Sequence, residues 1–153
     1  MPASGGRSAC DGYRSVMGIE LRKGSIDLGI VARDSERALA FYRDVLGFEH
    51  VATTPMPPPL SGTMHRLMCG TSMIKVIDLD ETPAAHPAPG GLAGGTGYRY
   101  FTMTVSNLAE LTQACRDAGA TVIIDDVELR PGLQVSVVED PDGNWAEFTD
   151  PGD

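Results

Sequence analysis

The sequence predicts an α+β fold built from two tandem βαβββ modules, and three observations lead there. The hydropathy pattern runs strand, helix and three strands, twice over. Landmarks in the two runs keep a near-constant offset: Asp34 and Asn107, Arg43-Asp44 and Arg116-Asp117, and Gly70 and Gly143 are each 73 residues apart, and Gly47 and Gly119 are 72 apart. One offset linking a helix cap, a helix end and a turn marks an internal repeat. Finally, Asp140-Pro141-Asp142-Gly143-Asn144 is dense in turn-forming residues and delivers an alternating strand, with Ala146 and Phe148 on one face and Trp145, Glu147 and Thr149 on the other.

Residues 1–23 are rich in Gly, Ser and Ala at their start and are expected to form a loosely ordered tail. The domain proper is expected over 24–150. Ser25 to Ala32 alternates Ile26, Leu28, Ile30 and Ala32 against Asp27, Gly29 and Val31, a half-buried strand. Asp34 and Ser35 are N-cap candidates for a helix carrying Ala38, Leu39, Phe41, Tyr42, Val45 and Leu46 at helical spacing and ended by Gly47. Strands are expected at Phe48 to Thr53, Thr63 to Cys69 and Ser72 to Leu79, which closes the first half at 24–79. Residues 80–97 form a Pro- and Gly-rich connection, long enough to act both as linker and as a flap over a pocket. The second half, 98–149, repeats the order. Arg99 to Val105 is a strand, Asn107 caps a helix to about Ala118, and Thr121 to Ile124, Leu133 to Glu139 and Asn144 to Thr149 are strands.

Composition narrows the function. A chain of 153 residues with 42% hydrophobic content can bury a substantial core. A formal net charge of -9 excludes a phosphate-backbone reader, which needs a basic stripe, and argues equally against an anionic membrane surface. Cys10, Cys69 and Cys115 are odd in number and form no CxxC pair, which suits free thiols in a reducing cytoplasm. No run of 18 apolar residues is present, so a soluble cytoplasmic protein is expected.

The phrases Arg33-Asp34-Ser35-Glu36-Arg37-Ala38-Leu39-Ala40-Phe41-Tyr42-Arg43-Asp44-Val45-Leu46-Gly47-Phe48 and Asp140 to Phe148, set in tandem βαβββ units, resemble the vicinal oxygen chelate superfamily, which includes glyoxalase I, methylmalonyl-CoA epimerase, extradiol dioxygenases and bleomycin-resistance proteins. The resemblance implies curled mixed sheets around a pocket, a homodimer, and metal ligands from the first and last strands of each half. Carried over by position, those ligand sites fall on Asp27, Lys75, Tyr100 and Glu147. Only Glu147 keeps the usual ligand type. A neutral phenol is a poor ligand and an ammonium has no lone pair to donate, so no cofactor is expected and a divalent metal is disfavoured.

Strand parity puts Lys75, Tyr100, Thr102 and Glu147 each opposite an apolar row, with Gln134 and Ser136 as further candidates. If the sheets curl, these groups converge. Glu147 or Asp27 can then take a proton beside a substrate carbonyl while Lys75 and Tyr100 steady the oxyanion, with His65, Thr102, Gln134 and Trp145 contacting the substrate. This is a metal-independent lyase or isomerase acting on a small organic metabolite. The alternative is a non-catalytic protein that sequesters a hydrophobic natural product or antibiotic, with the charged groups forming an internal salt bridge. A third reading is a rearranged metal site of Glu147, Asp27 and His65.

Overall fold

The structure is a computed structural model that describes residues 18–153; residues 1–17 of the expected tail, with Cys10, lie outside the described residues. Two four-stranded mixed sheets, one from each half, share a helical layer on one side. The first half contains β1 (Leu28–Val31), α1 (Ser35–Leu39), a π-helical turn over Ala40–Val45, β2 (Glu49–Pro55), β3 (Gly62–Cys69) and β4 (Ser72–Leu79). The second contains β5 (Tyr100–Thr104), α2 (Leu108–Asp117), β6 (Val122–Arg130), β7 (Leu133–Glu139) and β8 (Trp145–Asp150). Strand order is β1-β4-β3-β2 in one sheet and β5-β8-β7-β6 in the other, with β1–β4 and β5–β8 parallel and the remaining pairs antiparallel.

Local chemistry accounts for most boundaries. The Asp34 carboxylate accepts from the Arg37 N–H at 3.1 Å and caps α1. After Leu39 the helix widens, and the Leu46 N–H donates five residues back to the Phe41 carbonyl at 3.0 Å. Gly47 and Gly119, related by the repeat, close their helices in the left-handed region at φ 75° and 85°, where a side chain would be strained. Two expectations are corrected. Asn107 precedes α2 but makes no side-chain cap bond. The strand expected to stop at Ile124 runs on to Arg130, because a register shift between Ile124 and Val127 absorbs Asp125-Asp126 into the ladder rather than letting them turn the chain. Asp126 takes φ 45°, and its N–H finds the Ser136 hydroxyl at 2.9 Å.

The core lies between the helices and one face of each sheet. Ile30, Leu67, Ile74 and Val76 come from the first sheet and Val138, Ala146 and Phe148 from the second. Tyr42 is wholly buried at its centre, with its ring 4.9 Å from Phe41, 5.9 Å from Phe48 and 6.5 Å from Phe101, which belongs to the other half. Its hydroxyl donates to Asp140 Oδ2 at 2.6 Å. That carboxylate also accepts from the N–H groups of Asp142 and Asn144 and from Asn144 Nδ2, at 2.8–2.9 Å. The two halves are therefore tied through one core and one buried polar node. Among the described residues no helix is long and apolar enough to cross a membrane.

Candidate functional site

Because residues opposite one another across a ladder share a face, the register assigns every side chain either to the helix face or to the open face. In the first sheet Lys75 pairs with Gly29 and Arg66, whereas Val76 of the core pairs with Ile30 and His65. The open face there carries Met64, Arg66, Met68, Met73, Lys75 and Ile77. In the second sheet Glu147 pairs with Thr102 and Val137, and Trp145 with Tyr100 and Glu139. Val135 and Val137 sit on this open face, outside the helix-side core, yet are only 4% and 3% exposed. The sheet has to curl for that to happen.

Glu147, Thr102, Tyr100 and Trp145 thus share one open face, and Thr102 Oγ1 donates to Glu147 Oε1 at 2.7 Å. Tyr100 is half exposed. Three candidates are corrected by register. His65, directly opposite Val76, turns to the helix side, where its Nδ1 lies 3.2 Å from Thr53 Oγ1 and its ring 5.4 Å from that of His50. Burial and the neighbouring His50 lower its pKa. Gln134 pairs with Asp150, and Ser136 with Phe148, so neither joins the open face. On β7 the helix face takes Val138, Ser136 and Gln134, and the open face takes the valines Val135 and Val137, so the apolar residues do not mark the core side there.

Within one chain, Lys75 and Asp27 belong to the first half and Glu147 to the sheet of the second. The β1 and β5 edges face each other across a seam, lined by Leu28–Val31 on one side and Tyr98–Phe101 on the other around a cavity of about 230 Å³. Along the sheets, β1, that seam and β5 lie between the strands that carry Lys75 and Glu147. Among the described residues no hydrogen bond or ion pair joins them. Asp27 is exposed and occupied: the Lys23 ammonium, then the Met73 N–H at 3.0 Å, hold its carboxyl below the usual range, which makes it a weak base.

The donor set does not fit a divalent ion of the family's kind. Two of its four positions carry an ammonium and a phenol, and of the two carboxylates left, that of Asp27 is already bonded to Lys23 and the Met73 N–H. Among the described residues no group of three or more His, Cys, Asp or Glu side chains is arranged to hold a metal. Moving His65 to the helix face also dissolves the rearranged set of Glu147, Asp27 and His65.

The connection 80–97 touches both halves: His86 meets the Arg33 guanidinium of the first, and the stretch 88–91 lies against the second. Arg99 donates to the carbonyls of Gly91 at 2.8 Å and Ala88 at 2.6 Å, and Gly91 lies on the Trp145 ring so closely that a Cβ there would stand 2.0 Å from the indole. The indole N–H points to Glu139 at 3.3 Å. The connection therefore covers one end of the open face of the second sheet. Sequence reasoning missed Arg66, although counting strand parity outward from the core residue Leu67 places it beside Lys75.

A model of the family described as Glyoxalase/Bleomycin resistance protein/Dioxygenase superfamily matches residues 24–148. Among solved structures, a glyoxalase family protein from Bacillus cereus superposes with a TM-score of 0.74 at 13% identity, over 86% of this chain and 95% of that one. A glyoxalase family protein from Enterococcus faecalis gives 0.60 at 20% identity over 85% and 96%, and a glyoxalase/bleomycin resistance protein from Streptomyces sp. CB03234 gives 0.58 at 17% over 80% and 96%. At these identities the likeness is one of fold. No curated protein matches the sequence.

Proposed function

The chain belongs to the Glyoxalase/Bleomycin resistance protein/Dioxygenase superfamily, and on that premise we propose that it binds a small organic molecule on the open faces of its sheets and sequesters it. The observation that carries this reading is what those faces are made of: Met64, Met68, Met73 and Ile77 on one and the half-exposed Tyr100 with Trp145 on the other, with a few polar groups at set positions. A curved, mostly apolar surface with sparse, placed polar groups is the usual make-up of a small-molecule site. Sequestration is favoured over proton transfer because Asp27 is already bonded to Lys23 and the Met73 N–H, and Glu147 is hydrogen-bonded to Thr102 with no bond or ion pair to Lys75 among the described residues. The reading includes a cytoplasmic homodimer in which one copy covers the open face of the other.

A lyase or isomerase is the second reading, and one observation favours it. Glu147 is half-buried against the buried Val137 with Thr102 as its hydrogen-bond donor, and a carboxylate against an apolar wall is a group able to take a proton from a bound substrate. A thermal-shift screen of metabolites and natural products, followed by mass analysis of what is recovered, tests both. Sequestration expects ligands that raise Tm and are returned unchanged. Conversion of a ligand, lost in Glu147→Gln, moves the conclusion to the second reading, and a screen with no stabilising ligand refutes the first.

A further inference from the structure

We propose that the open face of the first sheet is a receptor for an amphipathic anion, a molecule with one oxyanion group on an apolar body, held by Arg66 and Lys75. The proposal rests on the reading of the open faces as ligand surfaces and names the ligand class for one of them. Arg66 and Lys75 are direct partners in the antiparallel β3–β4 ladder, so two half-buried cations stand side by side on one face. Like charges directly opposite destabilise a sheet, and a protein gains nothing from such a pair unless something negative meets it. Among the described residues no carboxylate bonds to either cation; Asp27 lies close enough to feel the Lys75 charge, but its oxygens are committed to Lys23 and the Met73 N–H. Among the described residues the ion pairs are Lys23–Asp27, Arg43–Asp44 and Arg116–Asp125, and neither Arg66 nor Lys75 makes a side-chain hydrogen bond there.

Acids are not scarce, since the chain has 21 Asp and Glu against 12 Lys and Arg, yet none is set opposite this pair. Asp27, the neighbouring carboxylate, is bonded to Lys23 and the Met73 N–H. Glu49 lies across from Met68, one rung away, and is exposed. The rungs that flank the cations are Met68 with Met73 and Met64 with Ile77. Polarizable, unbranched thioethers conform to varied apolar shapes. On β2 the residue opposite Arg66 is the small Ala52, which leaves room beside the guanidinium. A guanidinium fork that grips a planar oxyanion, a point charge next to it and an adaptable apolar ladder on both sides together match a carboxylate or similar group on a hydrophobic frame.

Calorimetric titration of the full chain with 1-naphthoate and with its neutral counterpart 1-naphthamide tests this. The expected result is that naphthoate binds at least tenfold more tightly and loses affinity as salt rises. Arg66→Gln and Lys75→Met, each confirmed folded by circular dichroism, should each weaken naphthoate about tenfold while leaving naphthamide within twofold, and Arg66→Lys, which keeps the charge but loses the fork, should recover only part of the binding. Either variant alone suffices if the other does not fold. Equal affinity for the two probes overturns the anion claim while leaving the open face a ligand surface. Naphthoate binding that is absent, or unchanged in the folded variants, overturns it as well.

Discussion

Tyr42→Phe removes one hydroxyl from the middle of the core and leaves the ring packing in place. The lost bond runs 2.6 Å from a wholly buried phenol to the Asp140 carboxylate. Hydrogen bonds to charged groups contribute about 1.5–3 kcal/mol. The low end applies here, because Asp140 keeps three other donors, from Asp142 N and from Asn144 N and Nδ2, so no acceptor is orphaned. A loss of about 1.5–2 kcal/mol corresponds to a Tm lower by roughly 3–8 °C for a chain of this size. Asp140→Ala should cost at least twice as much, since it strands the phenol and the turn's N–H groups together. A second signature is the alkaline limb of stability. Burial, then the adjacent Asp140, raises the Tyr42 pKa well above 10 in the folded state. The unfolded chain therefore releases this proton first, so the stability the phenol contributes is whole below pH 10 and is lost as pH rises above it. Urea unfolding at pH 7 and at pH 10.5 measures both effects. A Tyr42→Phe protein as stable as its parent at pH 7, with the same alkaline loss, would refute the account of the node.

Gly91→Ala places a methyl group inside the Trp145 ring at a backbone φ of +57°, so it should cost about 1–3 kcal/mol and shift the emission of the chain's single tryptophan; an unchanged spectrum would mean the connection does not rest there. Burial pushes the Cys115 thiol up to about 11, and its side chain is wholly buried, so a thiol reagent at pH 8 should reach it only on unfolding, while half-buried Cys69 reacts more readily. Peptide mapping of the labelled sites separates the two. Because Lys75 and Tyr100 occupy two of the family's ligand positions, EDTA should move Tm by less than about 1 °C, and a drop of several degrees would show that other side chains hold a stabilising cation.

The alternation and the repeat made the strands and helices legible: β4 and β7 match their expected limits at both ends, and the 73-residue offset links Gly70 with Gly143, which both take positive φ. Where local composition and tertiary pairing disagreed, the sequence was less informative. Asp125-Asp126 has the composition of a turn, but the long β7 partner held it in a bulged strand. Facing was legible only where a core residue anchored the count. Lys75, between Ile74 and Val76, was read correctly, and so were Thr102 and Glu147, whereas His65 and Gln134 needed the register to decide them. Which half meets which is a matter of edge packing, and nothing in the order of residues announces that β1 and β5 face each other across an unbonded seam.

The node at Tyr42 also bears on how the two halves can be exchanged. Moving by the repeat offset carries Tyr42 onto Cys115 and Asp140 onto Leu67, both wholly buried and neither able to reproduce the bond. A chain made of two first halves would carry the phenol twice with no acid to receive it, and one made of two second halves would carry the acid with no phenol. Descended from equal copies or not, the halves now act as plug and socket, and doubling either one cannot regenerate the whole.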